Sequence, residues 1–508
     1  MTVRADRTGH GVAGTGGNGF DVRARHIHLI GVGGCGMSGL ARMLRGSGAV
    51  VSGSDSTPSD LTAALGAEGI HVSLDQSSGI LPPDCQMVIA SAAIRPDNPE
   101  FLAAQSRGLP TLTYAEALGL CMQTRTGVAV AGTHGKSSTV AMLGVVLAHA
   151  GLDPTVIVGA TCRQLDPAKP ASVGFRLGSD EVPIGPLTGK PGLLVAEACE
   201  FNRSFHHLHP AVAAITSVEA DHLDIYGTLD GVVKSFNEFA KLLPPASAGG
   251  RLLIAHEGAH RREVTAGVEA AIETIGYAPS ADWQVTFDTS TRRVGLNHRG
   301  QHVANWTLNI PGEHMAMNSA YAATIAIWLG AAPDRVASAL ADFRGLDRRV
   351  QFVGEKRLRG AGWGPAAAPV RVYDDYGHHP TEVDATLRAL REFERPETRG
   401  GRLICIFQPH QHSRTRFLLD EFAQSFSKAD VVIVPHIYFV RDSEIEKTRI
   451  GAGDLVDRLR ARGVQAMHLY PFEAIVEQLQ NICRPGDLLV VMGAGPVWKV
   501  AKGFMESA

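Results

Sequence analysis

GVAVAGTHGKSSTVAMLGVVLAHAG, residues 127–151, runs as an apolar strand, breaks at a glycine-bounded turn and resumes as a long apolar helix. Strand, glycine loop and helix in that order make a phosphate-binding loop, with Gly132, Thr133, His134, Gly135, Lys136, Ser137 and Ser138 in or beside the turn. Val130 stands where the full G-x-x-x-x-G-K-[ST] pattern starts with glycine, so the loop is a shortened variant. Its backbone N–H groups would cradle phosphate, Lys136 would offset β/γ charge, and the Ser137 hydroxyl would ligate Mg²⁺. The same strand-to-helix unit recurs on both sides of this stretch, which predicts an α/β protein of parallel sheets with crossover helices.

Downstream, the strand in GLLVAEACE (residues 192–200) carries Glu197 and Glu200 to its C-terminal end, where a carboxylate can hold a metal. After the next apolar run, Asp221-His222-Leu223-Asp224 brings a histidine and two carboxylates to the same rim. The tract His206-His207-Leu208-His209 lacks a second ligand pair at zinc spacing and reads as surface or substrate-facing histidines. Upstream, Gly31, Gly33, Gly34 and Gly36 follow an apolar strand and open a helix, and Asp55 ends the next strand. Glycine is needed there because a side chain would keep a diphosphate off the backbone N–H groups. NAD and a UDP-sugar both satisfy that loop, because Asp55 could hold a ribose in either.

The 508 residues predict about three domains at roughly 100 to 200 residues each. The alternation divides them into a polar, Gly-rich tail (1–24) and three α/β units at 25–124, 125–347 and 348–508. The fold expected is therefore a Rossmann-like first domain, a P-loop ATPase-like central domain and a Rossmann-like third domain. Two Pro/Gly-rich stretches, Asp166 to Gly192 and Arg357 to Pro369, read as surface insertions. A hydrophobic fraction of 44% excludes general disorder, and a net charge of −3 gives no basic field for nucleic acid or anionic lipid. No apolar run is long enough to span a bilayer and no basic-then-apolar signal opens the chain, which predicts a cytoplasmic protein without membrane insertion. The seven cysteines are scattered without a C-x-x-C pair, as reduced thiols are. Oligomeric state has no signature in the sequence.

The motifs GVGGCGMSGLA, VSGSD, SAAIRPDNPE, AGTHGKSST, EACEFNRSF, VEADHLDIYG, PGEHMAMNSAYAA, FRGLDRRVQ, DDYGHHPTEV and FQPHQHSRTR occur in this order, and in them the chain resembles the Mur ligase family. The resemblance spans about His26 to Lys502. It implies an ATP- and Mg²⁺-dependent ligase that joins an amino acid to UDP-N-acetylmuramate through an acyl phosphate. By the same resemblance Gly31, Gly33, Gly34, Gly36, Asp55 and Ser91 face the UDP-sugar. Lys136, Glu197 and His222 are catalytic, with Ser137, Glu197 and His222 on the metal. His314, Asn318, Arg348 and Arg349 join the phosphate loop in holding ATP, and Tyr376, His378 and Arg414 face the amino acid. The family's recycling members, which attach a preformed peptide, are a nearby alternative, and a nicotinamide-dependent oxidoreductase a more distant one. Several positions depart from the family pattern: Cys199 and Asn202 replace aspartates, Met315 an Asn, and Pro496 a polar residue. Gln411 replaces an arginine, which implies a weaker grip on the amino-acid carboxylate and leaves that task to Arg414.

Overall fold

The computed structural model describes residues 20–169, 171–358, 368–440 and 442–507. Most of the expected tail and of the 357–369 insertion lies outside these residues. The last residues of the tail are docked, with Val22 buried against the first sheet and Ala24 N–H donating to the Gly48 carbonyl.

Five parallel strands form the first sheet: β1 (His26–Ile30), β2 (Val50–Ser54), β3 (His71–Ser73), β4 (Met87–Ala90) and β5 (Thr111–Thr113), in the order β3-β2-β1-β4-β5. Ile30 pairs with both Ser54 and Ala90, so the glycine loop leaves the sheet beside the ends of β2 and β4. The following helix, Cys35–Gly46, packs on the second sheet.

That second sheet has ten strands: β6 (Thr126–Ala131), β7 (Thr155–Cys162), β8 (Val173–Arg176), β9 (Leu193–Glu197), β10 (Val212–Ile215), β11 (Arg251–Ala255), β12 (Ala271–Gly276), β13 (Trp283–Asp288), β14 (Arg293–His298) and β15 (Gln301–Thr307). Their order is β15-β14-β13-β12-β11-β10-β6-β9-β7-β8. β6, buried on both faces, lies between β9 and β10, the run expected of a strand flanked by crossover helices. The Asp166 to Gly192 stretch is not wholly insertion. β8 pairs antiparallel with β7, and its Phe175 packs near Gly39 of the first-domain helix. A four-residue strand between Pro/Gly-rich flanks carries too short a hydrophobic pattern to be read from sequence. β13 to β15 form an antiparallel extension that makes this sheet mixed.

The third sheet comprises β16 (Gln351–Lys356), β17 (Val370–Asp375), β18 (Leu403–Phe407), β19 (Val431–Val434), β20 (Gln465–His468) and β21 (Leu488–Met492), in the order β16-β17-β21-β18-β19-β20. Only β16 is antiparallel to its neighbour. The apolar core is continuous across the junctions. Met315 and Ala316 share one cluster with Val383 and Leu387, and Ile157 and Phe175 share another with Leu40. Continuous cores fix the sheets so that the C-terminal ends of β6, β9 and β10 face the C-terminal end of β17 across one cleft. Among the described residues no helix is long and apolar enough to cross a membrane.

Candidate functional site

The cleft encloses about 620 Å³ and is walled by all three units: Cys35 from the first, the phosphate loop and Glu197 from the second, Tyr376 and His378 from the third. Its floor follows from strand register. Val130 pairs with Glu197 and Ala131 with Ile215, so the carboxylate ending β9 and the segment after β10 flank the root of the phosphate loop. Gly135 turns the chain at φ +82° and begins the helix Lys136–His149 without a side-chain cap. The first-turn N–H groups are left for an anion. A Cβ on Gly135 would lie 2.4 Å from the Asn318 Oδ1, so glycine is required by space as well as by conformation.

Lys136 is folded onto its own loop. Its Nζ lies 2.9 Å from Glu200 Oε2 and donates to the Thr133 carbonyl at 3.1 Å. Burial disfavours the lysine's charge, but Glu200 outweighs it and the ammonium is pushed up to about 12. Glu200, buried, is thus the partner of Lys136 in this state. Glu197 instead lies beside Gly159, with Oε1 buried and without a hydrogen-bond partner. Burial and then Glu197 push the Cys35 thiol above its ordinary range, an electrostatic sign that the glycine-loop helix and the β9 carboxylate meet.

Ligand atoms of Glu200, Asp221 and His222 lie within 4.8 Å of one another. His222 Nδ1 is also buried without a hydrogen-bond partner. Two orphaned polar atoms, on Glu197 and His222, beside a carboxylate pair fit a divalent cation, and hard oxygen donors favour Mg²⁺. Ser137, Glu197 and His222, the metal residues the resemblance implies, all line the cleft, as do Glu200 and Asp221, the other carboxylates that the sequence places at this rim. The histidine tract is elsewhere: His206 stacks on Phe205 and its Nε2 donates to the Ser235 carbonyl.

Two charged contacts tie the second unit to the third, alongside the Thr381 hydroxyl donating to Glu219 at 2.7 Å and a shared apolar core. His134 of the phosphate loop places Nε2 3.4 Å from Glu219 and Nδ1 3.2 Å from Glu382, with the His379 ring 4.7 Å away. Burial alone would lower the imidazole, but the hydrogen bonds and charge of Glu219 and Glu382 push it up to about 9. The second contact is buried: the Arg414 guanidinium donates Nη2 and Nε to Asp221 Oδ1 at 2.9 and 3.1 Å, and Nη1 to His410 Nδ1 at 3.2 Å. Burial opposes ionisation of Asp221, yet Arg414, with His222 and nearby histidines, holds its carboxyl well below the usual range. Arg414, expected to face the amino acid, is instead engaged by Asp221 and His410 and lines a small cavity beside the main cleft, whereas Tyr376 and His378 line the cleft itself. Gln411, buried at φ +68°, lies on the same small cavity as Arg414.

A pH dependence follows from His134. Its bound value lies above the ordinary 6.5, so the charged contact is complete below about 6.5 and is lost as pH rises through about 9. Scattering or melting profiles are expected to show the second and third units loosening between pH 7 and 10. His134→Asn should flatten that profile, and an unchanged profile would show that the contact does not hold the interface.

Tyr376 stacks beneath two guanidinium groups, Arg348 at 5.1 Å and Arg349 at 5.0 Å from the ring centroid. Arg348, the first residue of the third unit, also donates to the Gly495 carbonyl at 3.2 Å, a contact within that unit. His378 Nδ1 lies 3.1 Å from the Tyr376 carbonyl, which can only accept, so the proton sits on Nδ1 and Nε2 carries the lone pair. Burial lowers His378 to about 4 and His314 to about 4, leaving both rings neutral. Burial raises Asp374 to about 7 and Asp375 to about 6, with Arg348 and Arg349 opposing.

In the first unit, Gly33 N–H donates to Asp55 Oδ2 at 2.8 Å and Gly31 abuts Ser91. Gly31, Gly33, Asp55 and Ser91 are therefore gathered at one loop, with Gly34 capping the helix and Gly36 against Tyr114. Sequence reasoning missed Glu219 and Glu382. Glu382 had a signal, since it lies three residues after the helix-capping His379, but that pattern predicts a cap and not a bond to a loop 248 residues away.

Three family profiles match: "Mur ligase family, catalytic domain" over residues 26–126, "Mur ligase middle domain" over 130–326, and "Mur ligase, glutamate ligase domain" over 348–495. The UDP-N-acetylmuramate–L-alanine ligase of Caldanaerobacter subterraneus subsp. tengcongensis is 34% identical over 95% of this chain and 97% of its own. The enzyme of the same name from Agathobacter rectalis is 35% identical over 95% and 98%. Among solved structures, UDP-N-acetylmuramate-alanine ligase from Thermotoga maritima has a TM-score of 0.74 at 24% identity, covering 95% of this chain and 98% of that one. A murein peptide ligase from Psychrobacter arcticus has a TM-score of 0.70 at 22% identity, covering 96% and 100%. Matched in three successive segments and along nearly its whole length, the chain belongs to the Mur ligase family.

Proposed function

We propose that the protein joins L-alanine to the lactyl carboxylate of UDP-N-acetylmuramate with cleavage of ATP to ADP and phosphate, in cytoplasmic peptidoglycan synthesis. The observation that carries this reading is the single cleft in which Cys35, Lys136 and His378, one residue from each sheet system, share a wall. A ligase must bring a carboxylate, a phosphoryl donor and an amine to one point, and that convergence supplies the effective concentration.

In this reading Gly31, Gly33, Gly34, Gly36, Asp55 and Ser91 hold the UDP-sugar and direct its carboxylate past Cys35. The phosphate loop, Gly132 to Ser138, holds ATP, with His314 and Asn318 on the adenine side and Arg348 and Arg349 at the junction. Lys136 leaves Glu200 for the phosphates, where its ammonium offsets charge on the transferring group. Ser137, Glu197 and His222, with Glu200 and Asp221, would hold Mg²⁺, which when bound supplies further charge stabilisation there. The sugar carboxylate takes the γ-phosphoryl group to give an acyl phosphate. The amine, presented from the side of Tyr376, His378 and Arg414, then displaces phosphate. The His134 and Arg414 contacts hold the units closed and keep water from the acyl phosphate.

Phosphate release measured with ATP and Mg²⁺, adding UDP-N-acetylmuramate and L-alanine singly and together, tests this. Release is expected only with both. Equal release from ATP alone would sink the ligase reading.

A further inference from the structure

A second group of ligating side chains lies where the second unit meets the third: His134 on the phosphate loop, Glu219 after β10, and His379 at the start of the helix Pro380–Glu394. One ligand atom from each lies within 4.8 Å of the others, and none of the three belongs to the Glu200, Asp221 and His222 cluster. His134 Nε2 is buried and unsatisfied, since Glu219 Oε2 stands 3.4 Å away, long for a hydrogen bond. A tetrahedral ion with bonds of about 2.0 to 2.1 Å sets its ligands about 3.3 to 3.4 Å apart, so that gap already suits one. A metal-bound histidine ordinarily gives its other ring N–H to a carboxylate, and His134 Nδ1 lies 3.2 Å from Glu382 Oε1. Glu219 is oriented as well, its Oε2 accepting from the Thr381 hydroxyl at 2.7 Å. Two long hydrogen bonds hold the His379 ring, Thr381 N–H to Nδ1 at 3.3 Å and Nε2–H to the Ala220 carbonyl at 3.4 Å, so drawing it onto an ion breaks little. His134 and Glu219 line the main cleft, which gives an ion its way in.

We infer that His134, Glu219 and His379 form a site for a borderline divalent cation, best filled by Zn²⁺, that bolts the second unit to the third and slows the enzyme. Two imidazoles and one carboxylate suit Zn²⁺, whereas Mg²⁺ prefers oxygen donors and keeps to the carboxylate-rich cluster. The ion takes the place of a proton on His134 Nε2, and its two charges answer Glu219 and Glu382 more fully than that proton does. Because ligands come from both sides of the junction, bound Zn²⁺ resists any opening of the cleft between the two units. Products leave a closed site only when it opens, so turnover falls with occupancy; this last step alone rests on the ligase reading above.

Calorimetric titration of the full chain with Zn²⁺ in excess Mg²⁺ tests the inference, with the visible absorption of Co²⁺ as a second readout of tetrahedral coordination. One Zn²⁺ per chain is expected to bind and to raise the melting temperature. Glu219→Gln and His379→Gln should each weaken binding by about tenfold or more, and Glu382→Gln, which removes only the carboxylate behind His134, by about tenfold to a hundredfold. His222→Asn alters the carboxylate-rich cluster and His468→Gln the close His436 and His468 pair, and both should leave the affinity within about threefold. Stoichiometric Zn²⁺ should lower kcat of the unaltered enzyme and spare Glu219→Gln and His379→Gln, each compared with itself without Zn²⁺. The inference is overturned by absence of stoichiometric binding, by unchanged affinity in both ligand variants, or by loss of binding in His222→Asn, which would put the ion in the carboxylate-rich cluster. Binding that changes neither melting temperature nor kcat would equally overturn it, since the ion would then bolt nothing. An unaltered enzyme that releases no phosphate with both substrates overturns the ligase reading, and is told apart because the Zn²⁺ titration and the melting curves need no turnover.

Discussion

Lys136→Ala is expected to lower turnover by about a thousandfold or more while binding of the UDP-sugar stays within about threefold of normal. The catalytic loss follows from removing the cation that faces the phosphates in a buried loop, where no solvent charge replaces it. The binding prediction follows from architecture: Lys136 follows β6 of the second sheet, whereas Gly31, Gly33 and Asp55 belong to the first. A second effect distinguishes this lysine from a surface one. Glu200 is buried and Lys136 is its ion-pair partner, so the alanine variant leaves a carboxylate stranded. Adding Glu200→Gln to Lys136→Ala is therefore expected to restore melting temperature without restoring turnover. Calorimetric titration with UDP-N-acetylmuramate, single-turnover phosphate release and melting curves give the three readouts. Parallel loss of sugar binding and turnover would show that the first unit does not bind sugar independently.

Arg414→Ala is expected to destabilise the junction between the second and third units by about 3 to 5 kcal/mol, the usual cost of leaving a buried charge without its partner. Arg414 and Asp221 are both buried, so little of that effect is screened by solvent. Asp221→Asn combined with Arg414→Met, which removes both charges, should recover most of the stability. Amino-acid binding should not recover in either variant, because the Arg414 guanidinium is missing from both. Melting curves and KM for L-alanine separate the two roles. An Arg414→Ala enzyme that melts with the wild type would mean that the ion pair does not hold the interface in solution.

The phosphate loop was legible because each of its features is local: an apolar strand, Gly132 and Gly135 at the turn, Lys136 and Ser137 opening a helix. The parallel α/β character was legible for the same reason, since hydrophobic period is set within a dozen residues. β8 and the β13 to β15 extension were not read, because short strands take their identity from the neighbours they pair with and not from their own composition.

Sequence by itself determined the class of fold, the two glycine loops and the set of carboxylates and histidines gathered near them. Which of these touch was decided only by tertiary structure. Glu197 and Glu200 stand three residues apart with the same chemistry, yet one pairs with Lys136 and the other keeps an unpartnered oxygen, because β9 ends at Glu197 and the chain turns before Glu200. Arg414 faces Asp221 across 193 residues, and His134 faces Glu382 across 248. Such contacts depend on how continuous apolar cores lock three sheets against one another, and no local pattern encodes that packing.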